Sequence, residues 1–119
     1  MNVELASKVY NHITDHPENH TELHYGQQTE LGTVASVAAY IGLFSGLCKI
    51  KNRSIVLTEE DNQEPDWTKT TQLLLDIPFS VAFRLTVLSN DEQAYKAIGY
   101  IANGKLPNWR EIYNIFPMV

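Results

Sequence analysis

All four histidines of the chain fall in one stretch at intervals of four: His12, His16, His20 and His24. Neutral imidazole is a good ligand for zinc and other divalent metals, and a pair four residues apart on a helix can reach the same ion. Glu18 and Glu22 lie close enough in sequence to complete a coordination shell. The run supports a metal-binding protein or a metal-dependent enzyme, with His12, His16, His20 and His24 as ligands of a divalent metal. Pro17 works against it, because proline disfavours α geometry at His16 and leaves only His12 and His16 on a common face. The sequence contains no HExxH motif. The plainer reading makes the four histidines solvent-facing groups at a helix end and in a loop, with His16 favourable near the helix C-terminus when protonated.

The other reactive residue types are less suggestive. Cys48 is the only cysteine, so the chain can form no internal disulfide or cysteine zinc site, and a reducing, cytoplasmic setting is expected. Cys48 follows an apolar run near an expected helix C-terminus, where the dipole disfavours a thiolate, so it reads as a buried structural residue. Ser36 and Ser45 lack the GxSxG turn that exposes a hydrolase serine and read as small packing residues. Gly32-Thr33 is followed by no P-loop pattern, and the acidic stretch Glu59 to Asp66 lacks the spacing and central glycine of a calcium loop. With no nucleophile and no acid–base pair at a telling spacing, the chain reads as non-catalytic.

These residues must be carried on elements that hydrophobic periodicity partly reveals. Leu5, Val9, Tyr10 and Ile13 recur at helical spacing, predicting an amphipathic helix from Val3 to Asp15, with Pro17 opening a short turn through Glu18 and Asn19. His20 to Thr29 is polar and reads as a surface loop. Glu30 to Leu47 is apolar around most of a helical circumference and is expected to be the central buried helix. Its Ala38, Gly42 and Gly46 form a stripe suited to close packing, either internal or across a symmetric dimer; Gly46 would alternatively end the helix. Lys49 to Thr58 fits a short β-hairpin around a basic Lys51-Asn52-Arg53-Ser54 turn. Asp66 is placed to cap a helix carrying Leu73, Leu74 and Ile77, and Pro78 starts another carrying Phe79, Ala82, Phe83 and Leu85. Ser89-Asn90-Asp91-Glu92 resembles a capping box ahead of Ala94, Ala97, Ile98 and Ile101, closed by Asn103-Gly104. Leu106-Pro107-Asn108 opens a last helix with Trp109, Ile112, Ile115 and Phe116. The expected fold is mainly α: one domain spanning residues 1–119, about five helices around a central apolar one, with the hairpin near 49–58.

Composition bounds the partners. A chain of 119 residues that is 44% apolar and 19% charged has the makings of one hydrophobic core. Its net charge of −5 argues against general nucleic-acid binding, which needs a basic face. The apolar run from Val34 to Cys48 is too short and interrupted for a membrane span, and the first residues lack a signal peptide's basic and apolar regions.

His16-Pro17-Glu18, followed by Gly32-Thr33-Val34-Ala35-Ser36-Val37-Ala38-Ala39-Tyr40, resembles an uncharacterised group of short bacterial and phage proteins. In that group an HPE-like segment precedes a CGTxxCxAGW helix and an LLGL-like segment. Leu73 to Ile77 would stand for the latter, and Ala94 to Gly104 for the group's final helix. Leu31 and Ser36 replace the two cysteines and Tyr40 the tryptophan, so no role of those cysteines transfers. The resemblance implies a compact helical fold and a phage or mobile-element origin.

Taken together, these features lead to the expectation of a small cytoplasmic binding protein, monomeric or homodimeric, that docks on a host protein, for example to inhibit a defence enzyme. Trp109, Tyr113 and the acidic residues Glu59, Glu60 and Asp61 are the expected contacts, since aromatic residues with a polar tip and complementary charge suit interfaces. A different class of reading has the aromatic residues and the central helix enclose a small signalling molecule such as a nucleotide.

Overall fold

The structure, a computed structural model, describes residues 1–29, 32–60 and 63–113. The first helix, α1, runs Val3–Asp15 and buries Leu5, Ala6, Val9 and Ile13. Asn2 caps it, its side-chain oxygen accepting from the Leu5 amide. The helix ends where Pro17 demands: His16 leaves helical geometry at φ −135°, and Pro17–Asn19 form one 3-10 turn.

The expectation of an all-helical bundle is overturned at the next segment. Gly26–Thr29 is a strand, β1, and Gly32–Ala35 a second, β2. They pair antiparallel from Gly26↔Ala35 to Thr29↔Gly32. The expected Glu30 to Leu47 helix therefore begins late. Its first two residues, Glu30 and Leu31, lie outside the described residues, and the helix proper, α2, spans Val37–Ser45. The boundary is set by Ser36, whose hydroxyl oxygen accepts from the Ala39 amide while its own amide donates to the Tyr25 carbonyl. A side-chain cap satisfies an otherwise orphaned helix donor and fixes the first turn there. Gly46 closes α2 in the left-handed conformation at φ 84°.

The expected hairpin is present as β3, Cys48–Lys51, and β4, Ser54–Leu57. Asn52 and Arg53 at its tip both have positive φ, the mirror-image turn whose twist matches that of paired strands. The two hairpins join through Gln27↔Ser54 into one antiparallel sheet ordered β2-β1-β4-β3. The fold is thus α+β.

Three helices follow. α3 spans Trp67–Leu75 and is capped by Asp66; α4 spans Phe79–Val87 after Pro78; α5 spans Asp91–Ala102. The capping box of α5 sits one residue later than the sequence pattern suggested, with Asn90 and Gln93 as its members. A single turn, α6, covers Trp109–Ile112 with Asn108 as cap. Ile115 and Phe116, expected on this last helix, lie outside the described residues.

One buried cluster draws on every helix and on β2, β3 and β4. Within it α2 is central, contributing the buried Val37, Ala38, Ala39, Tyr40 and Ile41. Gly42 lets it pack closely: a Cβ there would lie 2.7 Å from the Cys48 sulfur. The close neighbour is thus the side chain of β3, not another helix backbone. Among the described residues no helix is long and apolar enough to cross a membrane.

Candidate functional site

The four histidines do not gather at one point. His12 in the last turn of α1 and His16 just past its end have ring centroids 5.1 Å apart, and His12 also packs its ring 4.8 Å from that of Tyr40. Burial pushes the His12 pKa down, helped by the charge of His16. His16 approaches Glu18 at 3.8 Å on an exposed surface, and His24 is exposed in the loop before β1. No group of three or more His, Cys, Asp or Glu side chains gathers to hold a metal ion among the described residues.

His20 is instead committed to a buried pair. Its Nε2 lies 2.7 Å from Glu22 Oε2, with the two side chains only 5% and 6% exposed. The same carboxylate oxygen accepts from the Val37 amide, the first residue of α2, at 2.9 Å. The Glu22 amide donates to Asp91 Oδ1 at the start of α5. Burial raises the Glu22 pKa, outweighing the hydrogen bonds from His20 and Val37 that favour its charged form. Beside this pair, the Tyr40 hydroxyl lies 2.6 Å from the Asn19 carbonyl oxygen and 3.1 Å from that of Thr33. Its pKa is pushed up to about 12, first by burial and then by Glu18. The arrangement pins the loop between α1 and β1 to the starts of two helices. Sequence reasoning missed this pair because it weighed Glu22 only as a metal ligand.

The acidic residues and the aromatic pair expected as contacts are carried on different elements. Glu59 and Glu60 follow β4 and line a recess with Gly46 and Leu47 at the end of α2; Asp61 lies outside the described residues. Cys48 opens β3 and is buried, which raises its thiol pKa. Trp109 and Tyr113 stack on one another at 5.4 Å, and the Arg84 guanidinium of α4 sits over both rings at 5.9 Å. The aromatic pair therefore borders the outer face of α4.

That outer face is apolar. The buried side of α4 is Val81, Ala82 and Leu85, while Phe79 and Phe83 on the same helix are exposed. Phe79, Phe83 and Val87, one helical turn apart, are 54%, 39% and 50% exposed. The two phenylalanine rings stack at 6.2 Å. The stripe runs on into an open groove of about 740 Å³, whose lining includes Val87, Leu88 and Leu23, the last 92% exposed. Asp91 and Glu92 at the start of α5 form its acidic rim. The sequence did hold a signal for this surface: Phe79, Val81, Ala82, Phe83, Leu85 and Val87 put apolar side chains around more of a helix than one core can cover.

Comparison of the chain with protein families, curated proteins and solved structures finds no match in any of the three. The site is therefore read from its own geometry.

Proposed function

We propose that this is a non-catalytic binding protein that docks on another protein through the outer face of α4 and the groove beside it. The observation that carries the reading is the exposed apolar stripe Phe79–Phe83–Val87 continuing into the groove at Leu88 and Leu23. Exposed apolar patches of this kind mark contact surfaces, and anchors one turn apart along a helix are a recurring mode of protein recognition. The acidic rim of Asp91 and Glu92, in a chain of net charge −5, selects a partner segment with apolar anchors flanked by lysine or arginine. Arg84 of α4 lies over the partly buried rings of Trp109 and Tyr113.

The gain from covering the two phenylalanines follows from their exposure. For rings of about 200 Å², the exposed fractions correspond to about 110 and 80 Å². At about 25 cal/mol per Å² this is about 4–5 kcal/mol, an upper estimate equivalent to roughly a thousandfold in affinity. The test is capture of partners from the source organism by the wild type and by a Phe79→Gln/Phe83→Gln variant, with circular dichroism confirming that the variant is folded. A stoichiometric protein retained by the wild type and lost by the variant is expected. Capture that is equal for both chains, or absent for both, rejects the reading.

A further inference from the structure

Away from the α4 stripe, α1, α5 and α6 enclose a cleft of about 390 Å³, a volume in the range of small-molecule sites. We propose that this cleft binds a nucleoside monophosphate, its base against the Tyr10–Tyr95 wall and its phosphate at Lys96 and Lys105. The lining of this cleft shares no residue with that of the groove beside α4, and the proposal does not rest on the docking reading.

The aromatic wall is held in place before any ligand arrives. Tyr10 and Tyr95 stack at 4.9 Å with their planes only 17° apart. The Tyr95 hydroxyl is fixed by a 2.7 Å hydrogen bond with Thr14 Oγ1. Tyr10 lies directly on the backbone of α5, which only a glycine permits: a Cβ on Gly99 would stand 2.8 Å from the Tyr10 ring. A preorganised aromatic surface stacks any base, a contact worth about 1–3 kcal/mol, and spares the entropy of ordering it.

The polar groups are arranged for the two ends of such a ligand. Lys96 and Lys105 are both among the residues lining the cleft, in a chain that is acidic overall. Lys96 meets Glu92 at 2.9 Å on an exposed surface, a pairing weak enough for a phosphate to displace. Glu111 supplies an acceptor for the amino or ring N–H groups of a base. Its Oε2 is fixed by the Tyr100 hydroxyl at 2.6 Å, and a carboxylate so bound keeps further lone pairs. Donation to Glu111 raises the Tyr100 pKa, so that hydroxyl stays protonated in its positioning role.

Titration of the full chain with AMP, GMP, CMP and UMP, followed by tyrosine fluorescence and by amide chemical shifts, tests the assignment. At least one nucleotide is expected to bind, shifting the amides of residues 95–105. Adenosine or guanosine alone and inorganic phosphate alone should each bind at least tenfold more weakly. Lys96→Gln and Lys105→Gln should each weaken binding by about tenfold, as loss of a charge-assisted contact predicts. Tyr100→Phe should weaken it less and alter the preference among bases. The proposal is overturned if none of the four nucleotides binds up to millimolar concentration, if inorganic phosphate binds as well as any nucleotide, or if the lysine variants, folded by circular dichroism, bind unchanged.

Discussion

Replacing Glu22 with alanine strands two donors in a place where water cannot easily replace the lost acceptor. His20 Nε2 and the Val37 amide converge on one carboxylate oxygen at 2.7 and 2.9 Å, and both side chains of the pair are nearly fully buried. Removing one member of a buried pair costs about 3–5 kcal/mol, because the other is left desolvated without its partner. The hydrogen bond to the first amide of α2 accounts for about 1–2 kcal/mol of that. Since α2 is the central core element, the loss should appear in global unfolding, read as a lower urea midpoint by circular dichroism with an unchanged m-value. Glu22→Gln separates packing from charge, since it keeps an acceptor for Val37 and abolishes the titration. The sign of its pH dependence follows from the raised folded pKa of Glu22. Between that pKa and the ordinary value of 4.5, the folded protein binds a proton that the unfolded chain releases, so this group's contribution to stability falls as pH rises. On acidification from neutral pH the wild type should therefore gain on Glu22→Gln, levelling off below 4.5. Repeating the comparison with His20→Gln in both chains removes the imidazole from the balance. A loss under about 1 kcal/mol for Glu22→Ala, against the range above, or a gain of the opposite sign for the wild type would refute the reasoning.

Two further outcomes test how the helices are packed and what the histidines do. Gly42→Ala should destabilise by about 1–3 kcal/mol despite alanine's better helix propensity, because its Cβ would lie 2.7 Å from the Cys48 sulfur. Cys48→Ala in the same chain should recover part of that loss, and a stabilising Gly42→Ala would show that the two elements are less tightly packed. Dialysis of untagged protein against a chelator should leave its melting temperature unchanged, since Glu22 engages His20 Nε2 and His24 lies apart on the surface. A fall of several degrees, reversed by zinc, would return the histidine run to metal binding.

The elements legible in the sequence are those set by neighbours a few residues away. Pro17 ends α1, Asp66 caps α3 by accepting from the Lys69 amide, and positive φ at Asn52 and Arg53 turns the hairpin. Each is a local constraint that a residue type announces. β1 was not legible for the opposite reason. Gly26-Gln27-Gln28-Thr29 has no apolar alternation to mark it as a strand; β2 follows it closely in sequence, and only its contact with Ser54 of β4 comes from distant chain. The apolar run that followed it concealed the change from strand to helix at Ser36. A residue read as small packing was in fact the cap.

The rotation of α4 shows why the docking face was harder still to read. Pattern alone offers two apolar sides, Phe79–Phe83–Val87 and Val81–Ala82–Leu85, and hydrophobicity favours burying the one with the phenylalanines. The structure buries the other, and a polar contact helps to decide it. Thr86 hydrogen-bonds to Thr68 of α3 at 2.7 Å while reaching back to the Ala82 carbonyl at 2.9 Å. With Thr86 turned toward α3, the smaller side chains Ala82 and Leu85 enter the core and the rings are left outside. A chain that keeps two stacked phenylalanines on its surface gives up apolar burial that folding alone would favour. That cost is the physical reason to look for a second molecule covering α4.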